Sequence, residues 1–401
     1  MESSSSLWSR GFIGICLCNF FTFFSFFAFM ATIPLFVRNI LKHGDLQIGL
    51  TLTAFFLGSV IISPISGKLA DEYDKRKILI VSLILFVAIS ALYLLTYSLY
   101  SLLVLRFLHG VIFGITTTLL AVVAADIIPQ QYRGEGFAYF ITFMSIASVV
   151  GPFLGLTVIA HYSFNALFIL CTVFSILNFL SLYLAQLPTS PNKTKTDTSN
   201  LFNLNKIIEP KAIPISLCSA VTAIAYAGIG SFITLYAIEI GMGNLASYFF
   251  VVFAAGNILF RPFAGRLFDR KGANIVIYPF ILLYAIGLVL LSQGMNPIAF
   301  LMSAAIIGIS YGTLFSTFQT IAVTSASIQR RGMATSTFFL SVNLGVSVGA
   351  VILGIIAEHS NYHFMFIVTA VFVALSAIIY YIFYHRKNNQ NYLRIGNLKS
   401  N

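Results

Sequence analysis

Charge is what this chain holds least of. Asp, Glu, Lys and Arg make up 9% of its 401 residues and 58% are hydrophobic, whereas a soluble domain carries about 25% charge. Such a chain belongs in a bilayer, and its net charge of +11 does not then indicate nucleic acid. Cysteine is scarce too. Cys16, Cys18, Cys171 and Cys218 all fall inside apolar runs without ligand-like spacing, which reads as buried free thiols rather than disulfides or a metal site. No GxxxxGK[ST] loop, HExxH or GxSxG occurs, and no carboxylate pair lies at a membrane surface, so neither an ATP-driven pump nor an intramembrane enzyme is indicated. No cofactor is expected. A cleavable signal peptide is not expected either, because the first apolar run, about 11–37, is too long and lacks a small-residue cleavage site.

What the chain does have is long apolar runs. Twelve of them, beginning near residues 11, 45, 77, 101, 134, 164, 212, 244, 274, 298, 332 and 364, approach the roughly 20 residues that a spanning helix needs. With the N-terminus inside, every lysine and arginine except Arg38, Lys42, Arg106 and Arg261 falls on the cytoplasmic side. The opposite orientation would break the positive-inside rule in nearly every loop. Both termini are therefore expected in the cytoplasm, and the sequon at Asn192 is expected to go unused. One polar stretch, rich in Pro, Ser, Thr, Asn and Lys, interrupts the pattern. It predicts an N-terminal bundle over 1–187, a linker over 188–211, a C-terminal bundle over 212–385 and a tail over 386–401. A short amphipathic piece is expected around 201–208.

The two halves repeat each other. Gly67-Lys-Leu-Ala-Asp71, followed by the basic run Lys75-Arg76-Lys77, returns 198 residues later as Gly265-Arg-Leu-Phe-Asp269-Arg270-Lys271-Gly272. At the same offset Gly110, Gly114, Arg133-Gly134 and Gly151 match Gly308, Gly312, Arg331-Gly332 and Gly349. The fold class is thus an all-α membrane protein of 12 transmembrane helices in two pseudo-symmetric six-helix bundles. Parallel repeats of this kind are one of the standard plans of secondary transporters.

On these residues the chain resembles the major facilitator superfamily over essentially its whole length. The loop with Gly67, Asp71 and Arg76 resembles the family's first signature, and Gly265 with Asp269 resembles its second copy; the resemblance implies that Asp71 caps and charge-pairs with neighbouring helices. Arg106-Phe-Leu-His109-Gly110 in the fourth span is similar to the family's membrane-embedded arginine signature, with His109 where Gln is more usual. Gly151-Pro152-Phe-Leu-Gly155 in the fifth resembles the signature of the drug/proton antiporter branch, which implies export in exchange for protons. The physical content stands beside the resemblance: small residues spaced by four let helices approach, and a proline removes one backbone hydrogen bond.

Charge inside hydrocarbon costs several kcal/mol unless a cavity or partner meets it. Arg106 is accordingly read as a substrate anchor or a modulator of a proton site, and Arg261 as a structural residue pairing with the signature loops. His109, on the face of Arg106, reads either as carrier of a coupling proton, its type titrating near 6.5, or as a hydrogen-bonded interior histidine. Glu239 is a pathway candidate or an ordinary helix-end charge, and Asn19, Tyr226, Tyr236, Asn257, Tyr311, Gln319 and Asn343 are the remaining lining candidates. The first span carries no acid, which favours an anionic, zwitterionic or neutral substrate over a lipophilic cation. The reading is a proton-coupled exporter of a small polar or anionic molecule (a metallophore, a sugar-like compound or an acidic metabolite). It would sit as a monomer in a bacterial cell membrane with substrate, protons and lipid as its partners. Multidrug efflux and proton-coupled import of an organic anion are the alternatives.

Overall fold

A computed structural model describes residues 7–185, 208–294, 296–327 and 330–385. The expected linker up to residue 207, with its sequon and amphipathic piece, and the tail over 386–401 lie outside the described residues. Among the described residues there is no strand. The helices are α1 (Arg10–Asn39), α2 (Asp45–Glu72), α3 (Lys75–Leu92), α4 (Leu99–Ile127), α5 (Arg133–His161) and α6 (Phe164–Leu184), then α7 (Ile213–Glu239), α8 (Ala246–Leu259), α9 (Arg261–Lys271), α10 (Ala273–Gln293), α11 (Pro297–Ser325), α12 (Arg331–His359) and α13 (Tyr362–Tyr380). Together α8 and α9 form one apolar stretch, interrupted at Phe260, where Pro262 in the first turn of α9 lacks the N–H that a continuous helix would use. Twelve spans long and apolar enough to cross a membrane result, as the sequence predicts.

By packing, the chain separates into two compact units, one containing α1–α6 and also Ala246–Val251, the other containing α7 and everything from Val252 on. Four helix starts recur in the second half to the residue. The starts of α3, α4, α5 and α6 at 75, 99, 133 and 164 recur at 273, 297, 331 and 362. The caps recur as well. Ser98 and Ser163 accept hydrogen bonds from backbone N–H groups three residues on, and so do Asn296 and Asn361, 198 positions later. One cap differs. Gly272, before α10, takes φ +83° and ψ 171°, a conformation open to glycine alone, whereas its counterpart Asp74 has φ −64° and caps α3 by accepting from the Arg76 N–H at 2.9 Å. The first signature loop therefore replaces a permissive backbone with a side-chain cap.

Glycines set the helix spacing in both units. A Cβ on Gly110 of α4 would run into the Phe55 carbonyl of α2, and one on Gly308 of α11 into the Phe253 carbonyl of α8. Gly58 faces Phe107 and Val111; Gly256 faces Ala305 and Ile309, each residue displaced by 198. Gly114 lies on Ser59 and Gly312 on Asn257. In α5, Gly151 packs on the backbone of Phe24 and Ala28, and Gly155 on Ala28 and Thr32, so the antiporter-like signature is a contact surface for α1. Without hydrophobic drive between helices in lipid, such close van der Waals contact is a main source of cohesion. Gly67 and Gly265, by contrast, have open space around the missing Cβ.

Gly110→Leu or Gly308→Leu should therefore lower thermal stability in detergent by about 1–3 kcal/mol, the usual cost of overpacking. Gly67→Ala should leave it within about 0.5 kcal/mol. Equal melting temperatures for all three variants would remove glycine contact as the determinant of helix spacing.

Candidate functional site

Every carboxylate among the described residues stands at a helix end or in a loop. Asp45 pairs with Arg38 where α1 passes to α2. Lys75 at the start of α3 meets Asp126 near the end of α4 at 2.5 Å, which offsets an acid on the negative end of a helix dipole. Arg330 binds Glu209 at 2.5 Å, between the segment leading into α7 and the start of α12. Arg106 has no such partner. It is 1% exposed, and no carboxylate pairs with it among the described residues.

What meets Arg106 is neutral. Its Nε donates to the Thr51 carbonyl at 3.4 Å, and its guanidinium carbon lies 4.5 Å from the centroid of the Phe55 ring. On the same face of α4, Nδ1 of His109 lies 3.2 Å from the Tyr93 hydroxyl. Neither Nε2 of His109 nor Nη1 of Arg106 has a hydrogen-bond partner, and both are buried. Around the imidazole stand Phe29, Phe55 and Phe86, at 5.7, 5.5 and 4.8 Å between centroids and nearly perpendicular to it. The first unit thus holds a cation and two buried nitrogens without a hydrogen-bond partner beside an aromatic cluster. At the equivalent positions the second unit has Leu291, Ala304 and Ile307, so packing alone does not demand Tyr93, Arg106 and His109.

A second polar group lies within the other unit. Tyr226 of α7 and Tyr311 of α11 are stacked, 4.8 Å apart and 7° from parallel, with Tyr284 of α10 at 6.1 Å and Phe253 of α8 at 6.2 Å from Tyr311. Asn257 lies against Gly312, and Arg261 follows it by four residues at the start of α9, which packs on α11. The expected pairing of Arg261 with a signature residue is not found among the described residues; its Nε has no hydrogen-bond partner.

The other candidates are distributed more widely. Asn19 is buried and donates to the Phe140 carbonyl at 2.9 Å, tying α1 to α5. Tyr236 donates to the Leu291 carbonyl at 2.8 Å and lies beside His363, tying α7 to the end of α10 and the start of α13. Glu239 is the exposed last residue of α7, Gln319 and Asn343 are half-buried on α11 and α12, and Asp269 is exposed. The Asp71 side chain lies outside the described residues, while Arg76 is half-buried at the start of α3. Tyr93 and Tyr284 escape a reading by motif. Comparing the halves position by position exposes both, because Tyr93 stands opposite Leu291 and Tyr284 opposite Phe86.

Tyr93→Phe should leave His109 one partner short. A loss of about 1–2 kcal/mol in thermal stability is expected from a buried hydrogen bond and the nitrogen it leaves unmet. An unchanged melting temperature would show that this hydrogen bond carries no weight.

Comparison with known proteins agrees with this architecture. An uncharacterized MFS-type transporter of Methanocaldococcus jannaschii is 26% identical over 90% of this chain and 95% of its own length. The multidrug resistance protein MdtG of Escherichia coli is 24% identical over 92% and 93%. Among solved structures, a bacterial homologue of the human lysosomal transporter Spinster superposes with TM-score 0.80 at 14% identity, covering 95% of this chain and 97% of that one. The nucleoside transporter NupG superposes with TM-score 0.72 at 14% identity, covering 94% and 98%; at such identities the likeness is one of fold. The sequence profile of the Major Facilitator Superfamily matches residues 15–337, and the chain belongs to that superfamily of membrane transporters.

Proposed function

We propose that this chain is a proton-coupled secondary transporter that exports a small anionic or neutral polar molecule by alternating access. The observation that carries the reading is the group of Arg106, Tyr93 and His109: a buried cation with no carboxylate partner among the described residues, and two buried nitrogens without a hydrogen-bond partner. Open donors are answered by acceptors, and a buried positive charge by a negative one. A metallophore, a sugar-like compound or an acidic metabolite offers that chemistry; a lipophilic cation does not. His109 is the coupling residue in this reading, because each described carboxylate stands at a helix end or in a loop and His109 is a buried ionisable group on the same helix face as Arg106. Export rather than import rests on Gly151-Pro152 and Gly155 and on the multidrug relatives. The protein would act as a monomer in a bacterial cell membrane, with bundles over 1–187 and 212–385 and both termini cytoplasmic. Broad multidrug efflux is the second reading, favoured by the relation to MdtG at 24% identity.

Metabolite profiling of medium and cells, comparing a deletion strain with its parent under metal limitation, tests this. A carboxylate-rich compound should vanish from the medium and accumulate in cells. Arg106→Gln should reduce its export about tenfold or more, as expected for loss of a charge-assisted hydrogen bond. In proteoliposomes His109→Gln should abolish stimulation by a proton gradient while sparing substrate exchange. An unchanged exometabolome with new sensitivity to lipophilic cations would transfer the case to multidrug efflux.

A further inference from the structure

The tyrosine group of the second unit is not needed to pack it. Tyr226, Tyr284 and Tyr311 stand where the first unit has Ala28, Phe86 and Phe113, and Asn257 and Arg261 stand where it has Ser59 and Ser63. The glycine contacts beneath are the same in both units, Gly308 on Phe253 matching Gly110 on Phe55 and Gly312 on Asn257 matching Gly114 on Ser59. One scaffold therefore closes with apolar and small residues in one unit, and in the other carries three phenols, an amide and a guanidinium.

Those polar groups are incomplete as they stand. Asn257 Oδ1, Arg261 Nε and the Tyr284 hydroxyl are buried and have no hydrogen-bond partner. Three such atoms around one aromatic stack are costly unless something completes them. Their placement is ordered: Phe253 and Asn257 lie against α11 at Tyr311 and Gly312, and Arg261, four residues on, opens α9, which packs on α11 as well. Tyr226 is half-buried, while Tyr311 is 8% exposed.

We propose that this group is a binding site for a planar aryl or heteroaryl ring bearing one hydrogen-bond donor and one acceptor. The ring lies on the Tyr226–Tyr311 stack. Its O–H or N–H donates to Asn257 Oδ1, and its carbonyl or carboxylate accepts from Arg261 Nε and the Tyr284 hydroxyl. Stacking selects flatness, since a saturated ring of the same size and charge has no π-face to offer. The site rests on the second unit alone and does not depend on what Arg106 binds.

Equilibrium binding to the purified full chain in lipid nanodiscs tests the proposal, with hydroxynaphthoate and its fully saturated counterpart as probes. The aromatic probe should bind about tenfold more tightly than the saturated one. It should also perturb the tyrosine ultraviolet spectrum. Tyr226→Leu should bring the two probes to within about twofold, Tyr226→Phe should keep the preference, and Arg261→Gln should weaken both probes alike. Phe113→Leu, at the matching place in the first unit, should leave the preference intact. The uncharged hydroxynaphthamide pair should show the same preference even if the anion reading of Arg106 fails. Equal affinity of wild type for aromatic and saturated probes, or a preference that survives Tyr226→Leu, would overturn the proposal.

Discussion

The bilayer interior accepts a charge only where something answers it, and this chain is arranged around that constraint. Its described carboxylates are held at helix ends and in loops, several of them in ion pairs with nearby bases. One guanidinium is nevertheless carried into α4, where a carbonyl and an aromatic face meet it and no acid pairs with it among the described residues. Neutral groups of this kind spread a positive charge but do not cancel it. The remaining demand for negative charge or for acceptors is the property from which the functional reading follows.

That demand is imposed on a scaffold made twice. Glycine-to-backbone contacts recur at a fixed offset, so α4 lies on α2 as α11 lies on α8, and α5 lies on α1 as α12 lies on α7. The repetition separates what packing requires from what it does not. Where both halves keep a glycine, contact explains it. Where one half has Arg106, His109 and Tyr93 against Ala304, Ile307 and Leu291, or Tyr226 and Tyr311 against Ala28 and Phe113, packing does not. The two halves are thus alike in framework and divided in chemistry: donors and charge in the first, a stacked phenol group in the second.

The framework is almost wholly legible in the residues. Apolar runs of spanning length and the repeated Gly-Asp-basic loops specify twelve helices, and every expected start falls within about two residues of an observed one or of the short turn leading into it. Backbone demands of this sort are local and leave local signals. The sites are less legible because hydrogen bonds between distant helices leave none. Nothing near Asn19 announces that it will reach the Phe140 carbonyl, and nothing near Tyr236 announces Leu291. Arg106 and His109 are conspicuous because a charged or titratable group is rare in such a run, while Tyr93 looks like any aromatic residue at a helix end. Its contact with the His109 ring appears only once the chain is folded.

The sign of the charge that the protein accepts is the most direct test of this account. Tetraphenylborate and tetraphenylphosphonium share shape and size and differ in sign, so their binding to the purified protein in nanodiscs isolates that variable. Tetraphenylborate should bind measurably more tightly, and Arg106→Gln should erase the difference. Tighter binding of tetraphenylphosphonium by the wild-type protein would contradict the account and place the chain among exporters of lipophilic cations.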